Sequence, residues 1–501
     1  MVRLSDLVKR FGGQMADDAA AGWAGDPLVS DVELDSRRVT PGCLFAAVSG
    51  GKAEGADYAC SALGGGASAV LARTAPGTGW RGRDCSALWL HSEPRRVAGL
   101  AAGFLHGSPS AEQFTVGITG TNGKTTVAWM VHALLEKLGR KSSLFGTVEH
   151  RPYGGESVFE GMTTPDAPYL HRALGIAKAN GGDSAVLEVS SHAIDQDRCA
   201  GIFFNAGIFT NLTRDHLDYH GDLDSYIAVK ERFFAGLGTS AKAIINNDSP
   251  FASRMAKAAR SSGAEVVTYS IGSRADLIAS QLKVGPQGVQ FVLQGMGTTS
   301  FDLTMPLVGR HNVENALAAS AVMLLLEASP SVIAEGLATI SPTPGRLEPV
   351  RKDLLVDRGF SVLVDFAHTP SALENVLTAL RETDPARIVC VFGCGGDRDR
   401  GKRPEMGAVV SRLADVAVLT SDNPRSEDPE RILDETETGM KAGSARILRE
   451  VDRHRAIELA LAEAQPGDVV LIAGKGHEAT QVFADHTIPF DDRRVAEELL
   501  S

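Results

Sequence analysis

Three features of the sequence predict an α/β protein of three units, its centre a nucleotide-binding sheet and its end a doubly wound parallel sheet. The 501 residues exceed one ordinary domain, and at roughly 150 residues each about three domains are expected. A glycine-rich loop ending in Lys-Thr lies between an apolar run and an amphipathic stretch near residue 120. After residue 343, short β-branched runs alternate with helix-length segments. Strands so separated need crossover connections and therefore pair in parallel.

Composition narrows the function. Fifty basic against 62 acidic residues give a net charge of −12, which argues against a broad basic surface for nucleic acid. Apolar residues are 43% and charged residues 22% of the chain, a globular balance. No apolar run approaches the ~20 residues of a membrane helix, and Met1–Gly13 does not read as a signal peptide. Cys43, Cys60, Cys85, Cys199, Cys390 and Cys394 follow no repeating spacing, as expected of free thiols in a cytoplasmic protein.

The first unit, residues 1–110, has strand-like runs at Gly42–Val48 and Ala67–Leu71 and helix-like runs at Tyr58–Leu63 and Arg95–Leu105. His106 and the polar GSPSAEQ after it mark a linker. The second unit, 111–342, opens with Phe114–Thr119, β-branched and apolar enough for a buried strand. Val127, Met130, Val131, Leu134, Leu135 and Leu138 then form one helical stripe, with Gly139 placed as its C-terminal cap. Further buried strands are expected at Ala185–Val189, Ala206–Thr210 and Ala241–Asn246, antiparallel hairpins over Leu277–Leu307, and a helix over Asn312–Leu326. In the third unit, 343–501, strand and helix alternate: Val362–Phe366 and Ser371–Glu382, Ile388–Phe392 and Pro404–Leu413, Val416–Ser421 and Pro429–Lys441. Helix Ile457–Glu463 and strand Val469–Ala473 complete it.

The sharpest local signal is Gly117-Ile118-Thr119-Gly120-Thr121-Asn122-Gly123-Lys124-Thr125-Thr126. Gly-Lys-Thr between strand and helix is the core of a phosphate loop: backbone N–H groups and the helix start wrap the phosphates. The lysine meets the β/γ oxygens, and the Thr hydroxyl reaches Mg²⁺. The general pattern places its first glycine at position 118, which is Ile118; the loop carries Gly120 instead. Such loops also serve kinases, motors and switches, so the loop alone leaves the reaction open.

Together with other blocks in order, this loop resembles that of the Mur ligases, the amide-forming enzymes of cytoplasmic peptidoglycan precursor synthesis. The blocks are Thr163-Thr164-Pro165, Glu188–His192, Thr210–Asp218, Gly309–Asn312, Pro344-Gly345-Arg346 and Asp365–Pro370. The likeness runs from Leu34–Phe45 to Ala473–Glu478; Phe366 stands where many relatives carry tyrosine. It implies a UDP-substrate domain, a central ATP-binding domain and a Rossmann-like amino-acid domain. Asp422-Asn423-Pro424-Arg425 resembles the form that adds meso-2,6-diaminopimelate to the D-Glu γ-carboxylate of UDP-MurNAc-L-Ala-D-Glu. A guanidinium can hold the distal carboxylate of that amino acid with two parallel hydrogen bonds, and lysine has no such group.

The resemblance further implies an acyl-phosphate route and a monomer acting in the cytoplasm, with no nucleic-acid or membrane partner. It places ATP on Gly120, Thr121, Asn122, Gly123, Lys124, Thr125, Thr126, Asn312, Arg346, Asp365 and His368. Lys124, Glu188, His216 and Lys230 would be the catalytic set, with Thr125, Glu188, His216 and Lys230 as a CO₂-derived carbamate holding Mg²⁺. By itself the sequence reads Lys230 as a solvated helix lysine. His216 and His220 have a spacing that suits zinc on a helix, but no cysteine or further histidine nearby completes that site. The UDP-substrate would lie on Leu34, Ser36, Thr163, Thr164, Ser190, Gln196 and Arg198. At Gly51-Lys52-Ala53 some relatives carry His-Gln-Ala, so side-chain contacts there are in question. Diaminopimelate would meet Arg398, Asp422, Asn423, Pro424, Arg425, Gly474 and Glu478. A lysine-adding ligase, a folylpolyglutamate-synthetase-like ligase and a P-loop regulatory ATPase are the other readings. Arg425 argues against the first and the long amino-terminal segment against the second. A regulatory ATPase leaves Lys230 and the 422–425 and 473–478 blocks without roles.

Overall fold

The computed structural model describes residues 1–16, 25–49, 54–74, 87–158, 161–272, 274–285, 288–351, 355 and 358–501. Gly51-Lys52-Ala53 and Cys85 lie outside the described residues. Three large sheets follow one another along the chain among the described residues. The first has five strands in the order Gln14–Ala16, Ala87–Leu90, Ala69–Ala72, Cys43–Ala47, Asp31–Glu33; only Gln14–Ala16 runs antiparallel to its neighbour. Helix Pro94–Leu105 packs on it and leads into the second unit.

The second sheet has ten strands. Ser142–Phe145, Ser184–Glu188, Phe114–Thr119, Ala206–Phe209, Lys242–Asn246, Glu265–Ile271 and Leu277–Gly285 lie side by side in parallel. The short strand His150–Arg151 closes one edge antiparallel, and the hairpins Gly288–Gly295 and Thr298–Met305 close the other. Strands buried on both faces read as continuous apolar runs, which is why Phe114–Thr119 matches the sequence expectation residue for residue. Helix Lys124–Lys137 turns Val127, Met130, Val131, Leu134 and Leu135 into the core beneath it, and Gly139 follows it with φ +86°. Each fully buried side chain of this type stabilises the fold by about 1.5–3 kcal/mol.

The third sheet orders its strands Glu348–Pro349, Ser361–Asp365, Val469–Ala473, Ile388–Phe392, Val416–Leu419, Arg446–Arg449, parallel except at the Glu348–Pro349 edge. Several expected elements stop a residue or two early, as Val416–Ser421 does at Leu419, and one is broken before its end. The helix over Pro429–Lys441 stops at Glu437, and a separate 3-10 turn covers Met440–Ala442. Gly439 between them lies against the Pro404 carbonyl, where a Cβ would come within 1.9 Å.

Parallel strands deliver all their C-terminal ends to one edge. In the central sheet that edge carries the turns after Thr119, Glu188 and Phe209; in the third sheet it carries those after Asp365, Phe392, Leu419 and Ala473. The two edges face each other. Asn122 Nδ2 donates to Ser371 Oγ (3.2 Å), Arg346 Nη2 donates to Thr125 Oγ1 (3.3 Å), and Arg214 pairs with Asp399 and Glu405. Arg172 ties the first unit to the second through Asp31 (2.8 Å) and Glu33 (3.0 Å).

Candidate active site

The phosphate loop is held by its glycines and by the turn after Phe209. Gly120 has φ +155°, and a Cβ there would lie 1.9 Å from Thr210 Oγ1. Gly123 has φ +84°, with Asn315 Oδ1 2.7 Å from where a Cβ would be. Thr210 Oγ1 donates to the Asn122 carbonyl (2.6 Å), and Asn122 N–H donates to Asn211 Oδ1 (2.9 Å). The helix then starts at Lys124 with no side chain capping its first N–H groups, an arrangement that receives anions.

Three charges surround the loop, two of them fully buried. Lys124 Nζ donates to the carbonyls of Gly120 (3.0 Å) and Thr121 (2.8 Å). Burial lowers its pKa, against the pull of Glu188 and Asp215. Lys230, on helix Leu223–Ala235, is fully buried, and its Nζ donates to the same Gly120 carbonyl (3.1 Å). Burial, with Lys124 close by, holds its pKa well below that of an ordinary lysine. The solvated lysine that the sequence alone suggests is therefore corrected: the helix turns this residue inward.

Glu188 is the third. Its carboxylate is buried and accepts hydrogen bonds from Thr125 Oγ1 (2.9 Å), Thr147 N–H (2.8 Å) and Thr147 Oγ1 (3.1 Å). Among the described residues it has no ion-pair partner. A buried carboxylate beside a loop threonine hydroxyl suits a hard divalent cation.

His216 opens the short helix Leu217–His220 with φ +54°. Its Nε2 lies 3.5 Å from Asp215 Oδ2, and burial drives its pKa to about 4 despite that carboxylate. For Asp215 itself, burial works upward but is outweighed by His216, His368 and Lys402, which hold it low. A third histidine does come close, from far along the sequence. The His192 ring lies 4.9 Å from His216 and 5.7 Å from His220, centre to centre. The rings stack edge-on or tilted, and among the described residues no three His, Cys, Asp or Glu side chains are placed to hold a metal ion.

A cavity of about 320 Å³ joins this loop to the third sheet. Thr121, Asn122, Gly123, Lys124, Thr125, Thr163, Ser190 and His216 line it from the central unit. Arg346, His368, Arg398, Asp422, Asn423, Arg425, Gly474 and Glu478 line it from the other side. The Arg346 guanidinium lies 4.9 Å over the Phe366 ring, so phenylalanine in place of tyrosine preserves the face that is used. Arg425 sits at φ +52° and donates from Nη1 to the carbonyls of Gly396 (2.8 Å) and Asn423 (3.4 Å). Burial and then Arg398 lower its pKa. Among the described residues neither Arg398 nor Arg425 forms an ion pair. Asp422 Oδ2 is buried and unpartnered on the same wall.

Other expected residues lie elsewhere. Leu34 and Ser36 line a separate cavity of about 760 Å³, which Met162 and Asp166 border from the central unit. Thr126, Asn312 and Asp365 line a chamber of about 620 Å³ that shares Asn122 and Gly123 with the loop. Thr164 is buried beneath Ser190, and neither Gln196 nor Arg198 reaches the phosphate cavity. Arg198 donates to Gln196 Oε1 (2.8 Å) and to the Thr164 carbonyl (3.0 Å). Pro424 lies behind the wall, its carbonyl against Gly396. Sequence reasoning passed over Thr147, Asp218, Asp399 and Lys402, which line the cavity. Asp218 and Asp399 stand inside or beside quoted motifs, but nothing in the sequence marks Thr147.

Fold and site define a P-loop protein in which the glycine-rich loop faces a polar wall on a doubly wound sheet across one cavity. Residues 118–323 match the Mur ligase middle domain and residues 345–476 the Mur ligase glutamate ligase domain. The UDP-N-acetylmuramoyl-L-alanyl-D-glutamate–2,6-diaminopimelate ligase of Solibacter usitatus is 41% identical over 478 residues, covering 94% of this chain and 93% of that one. The protein of that name from Syntrophomonas wolfei is 40% identical, with 100% and 99% covered. A solved structure of a ligase with this name is 33% identical over 94% of both chains, with a TM-score of 0.65. The MurF ligase of Thermotoga maritima in complex with ADP shares the fold at 19% identity, 94% and 97% coverage and a TM-score of 0.62. The chain belongs to the Mur ligase family and is an ATP-dependent, ADP-forming amide ligase.

Desolvated histidines contribute to the acid stability. His132, His171, His192, His216, His311, His368 and His477 are each driven to about 4 from an ordinary 6.5, burial being the first cause in every case. The unfolded chain takes these protons first, so their contribution is complete above about pH 6.5 and is lost as pH falls towards 4. Glu314, raised to about 7 mainly by burial, acts in the opposite sense but alone cannot offset seven histidines. Urea unfolding at pH 7 and pH 5 should show a lower midpoint at pH 5; equal midpoints would contradict these downward shifts.

Proposed function

We propose that this ligase joins meso-2,6-diaminopimelate to the γ-carboxylate of D-Glu in UDP-MurNAc-L-Ala-D-Glu, in the cytoplasm. The observation that carries the reading is the pair of guanidiniums on Arg398 and Arg425, without carboxylate partners among the described residues, on one wall with Glu478 and with Asp422, whose Oδ2 is unpartnered there. That wall offers two cations to a distal carboxylate and two carboxylates to an ammonium. Lysine would leave the partly buried Arg425 guanidinium without its anion, which disfavours it. The full-length relatives at about 40% identity carry the name of this activity.

The γ-carboxylate oxygen attacks the γ-phosphorus, the bond to the bridging oxygen breaks, and ADP leaves. The amine lone pair then attacks the acyl carbon, the tetrahedral intermediate expels phosphate, and the amine proton is released. We assign Gly120–Thr126 and Arg346 to the phosphates, with Lys124 neutralising charge on the transferring group. Asn312, Asp365 and His368 serve the rest of the nucleotide. Leu34, Ser36, Thr163, Thr164, Ser190, Gln196 and Arg198 serve the UDP-substrate, and Arg398 and Asp422–Arg425 with Gly474 and Glu478 the amino acid. Thr125, Glu188 and His216 would hold Mg²⁺, with Lys230 as its carbamate; when bound, the ion supplies further neutralisation of phosphate charge. The Lys230 ammonium first gives up a proton; the neutral amine then adds CO₂ and releases a second proton, so that a cation has become a carbamate anion. Burial supports that neutral form. We take the domains as 1–110, 111–342 and 343–501.

Phosphate release with the UDP-dipeptide should be fast with diaminopimelate and near background with lysine; the reverse preference would refute the assignment. Arg425→Ala should lose about 100-fold in kcat/KM for diaminopimelate while KM for ATP barely moves. Equal losses for both substrates would count against it. Lys230→Ala should lose most of its turnover, and an unchanged rate would remove the carbamate.

A further inference from the structure

The wall that receives the incoming amino acid rests on a buried lysine that the assignments above do not use. Lys475 follows strand Val469–Ala473 and stands between Gly474 (φ +121°) and Gly476 (φ +54°). Its side chain is 0% exposed, an environment in which an ammonium must be paired. Nζ donates to Asn423 Oδ1 (3.1 Å) and to Glu478 Oε2 (3.3 Å). Asn423 Nδ2 donates to that same Glu478 oxygen (2.9 Å), and Asn423 Oδ1 also accepts from Val482 N–H (3.0 Å). The three side chains thus close a triangle behind the cavity wall.

An ammonium only donates, so Lys475 and Val482 N–H together require the amide oxygen of Asn423 on the inner side. The amide NH₂ must then face Glu478. Both donors bind the Glu478 oxygen Oε2, and among the described residues Oε1 accepts no hydrogen bond. Glu478 and Asn423 line the phosphate cavity, whereas Lys475 is not among its lining residues.

We propose that Lys475 is a positioning residue for the amino-acid site: it sets the orientation of the Asn423 amide and the Glu478 carboxylate, so that these two present one geometry to the ammonium end of the incoming amino acid. It touches no substrate. Its positive charge also offsets that of Glu478, leaving a carboxylate suited to one ammonium. A site without this cation would hold Asp422 and Glu478 side by side with less compensation and would favour more cationic amines. The inference rests on the proposed substrate.

The test is steady-state kinetics of the full-length enzyme with UDP-MurNAc-L-Ala-D-Glu, ATP and diaminopimelate. Lys475→Met keeps the length of the side chain and removes its donors. KM for diaminopimelate should rise about tenfold or more, while KM for ATP and for the UDP-dipeptide stay within about twofold. In a Glu478→Gln background the same substitution should have a much smaller effect, because the lysine acts through that carboxylate. An equal rise in all three KM values, or an undiminished effect in the Glu478→Gln background, overturns the proposal. If Lys475→Met does not fold, Asn423→Asp replaces it as the test, since it keeps an acceptor for Lys475 and removes the donor to Glu478. The same selective rise is expected, and an unchanged KM for diaminopimelate overturns the proposal. Wild-type turnover with an unselective Lys475→Met defeats the positioning role alone; absence of turnover by the wild type defeats the substrate reading as well.

Discussion

Lys124 and Lys230 donate to one carbonyl, that of Gly120, from two different helices, with Glu188 buried close by. A buried ammonium beside a second, partly buried one is costly unless one gives up its proton or an anion arrives. The surroundings answer both needs. Burial favours loss of the Lys230 proton, the uncapped start of helix Lys124–Lys137 invites phosphate, and Arg346 adds a further cation against Thr125. A net charge of −12 does not describe this locality; the cations are concentrated where the anionic substrates react.

That concentration follows from parallel sheets. Each strand of such a sheet ends on the same side, so residues far apart in the chain meet without long side chains. Glu188 pairs in register with Ile118, and Phe209 with Thr119, which sets the carboxylate and the 210–218 turn beside the phosphate loop. The third sheet repeats the device with Asp365, Phe392, Leu419 and Ala473, bringing Arg398, Arg425 and Glu478 to one wall. The buried pair Arg453–Asp492 (2.7 Å) braces that wall from behind, because Arg453 also donates to the carbonyls of Ala473 and Ser421.

What could be read from the sequence were the elements whose physics is local. Ile388–Phe392 and Val469–Ala473 appear at their expected bounds because a strand covered on both faces is an unbroken apolar run. Pro429–Lys441 did not hold, since Gly439 is selected by a backbone contact with Pro404 that no local pattern announces. The burial of Lys230, the meeting of His192 with His216, and the triangle of Lys475, Asn423 and Glu478 depend on how helices and turns dock. Spacing along the chain carries none of that. The phosphate loop and the 422–425 turn were legible because their backbone or charge requirements restrict residue types at fixed neighbouring positions.

On the proposed reading, the centre around Gly120 moves a phosphoryl group to a bound carboxylate before any amine is needed. Positional isotope exchange in ATP labelled with ¹⁸O at the β-nonbridging positions tests this most directly. With UDP-MurNAc-L-Ala-D-Glu present and no amino acid, label should scramble into the β,γ-bridge, and omission of the UDP-substrate should stop it. Scrambling without the UDP-substrate, or none with it in an enzyme that forms amide once diaminopimelate is added, would contradict transfer through an acyl phosphate.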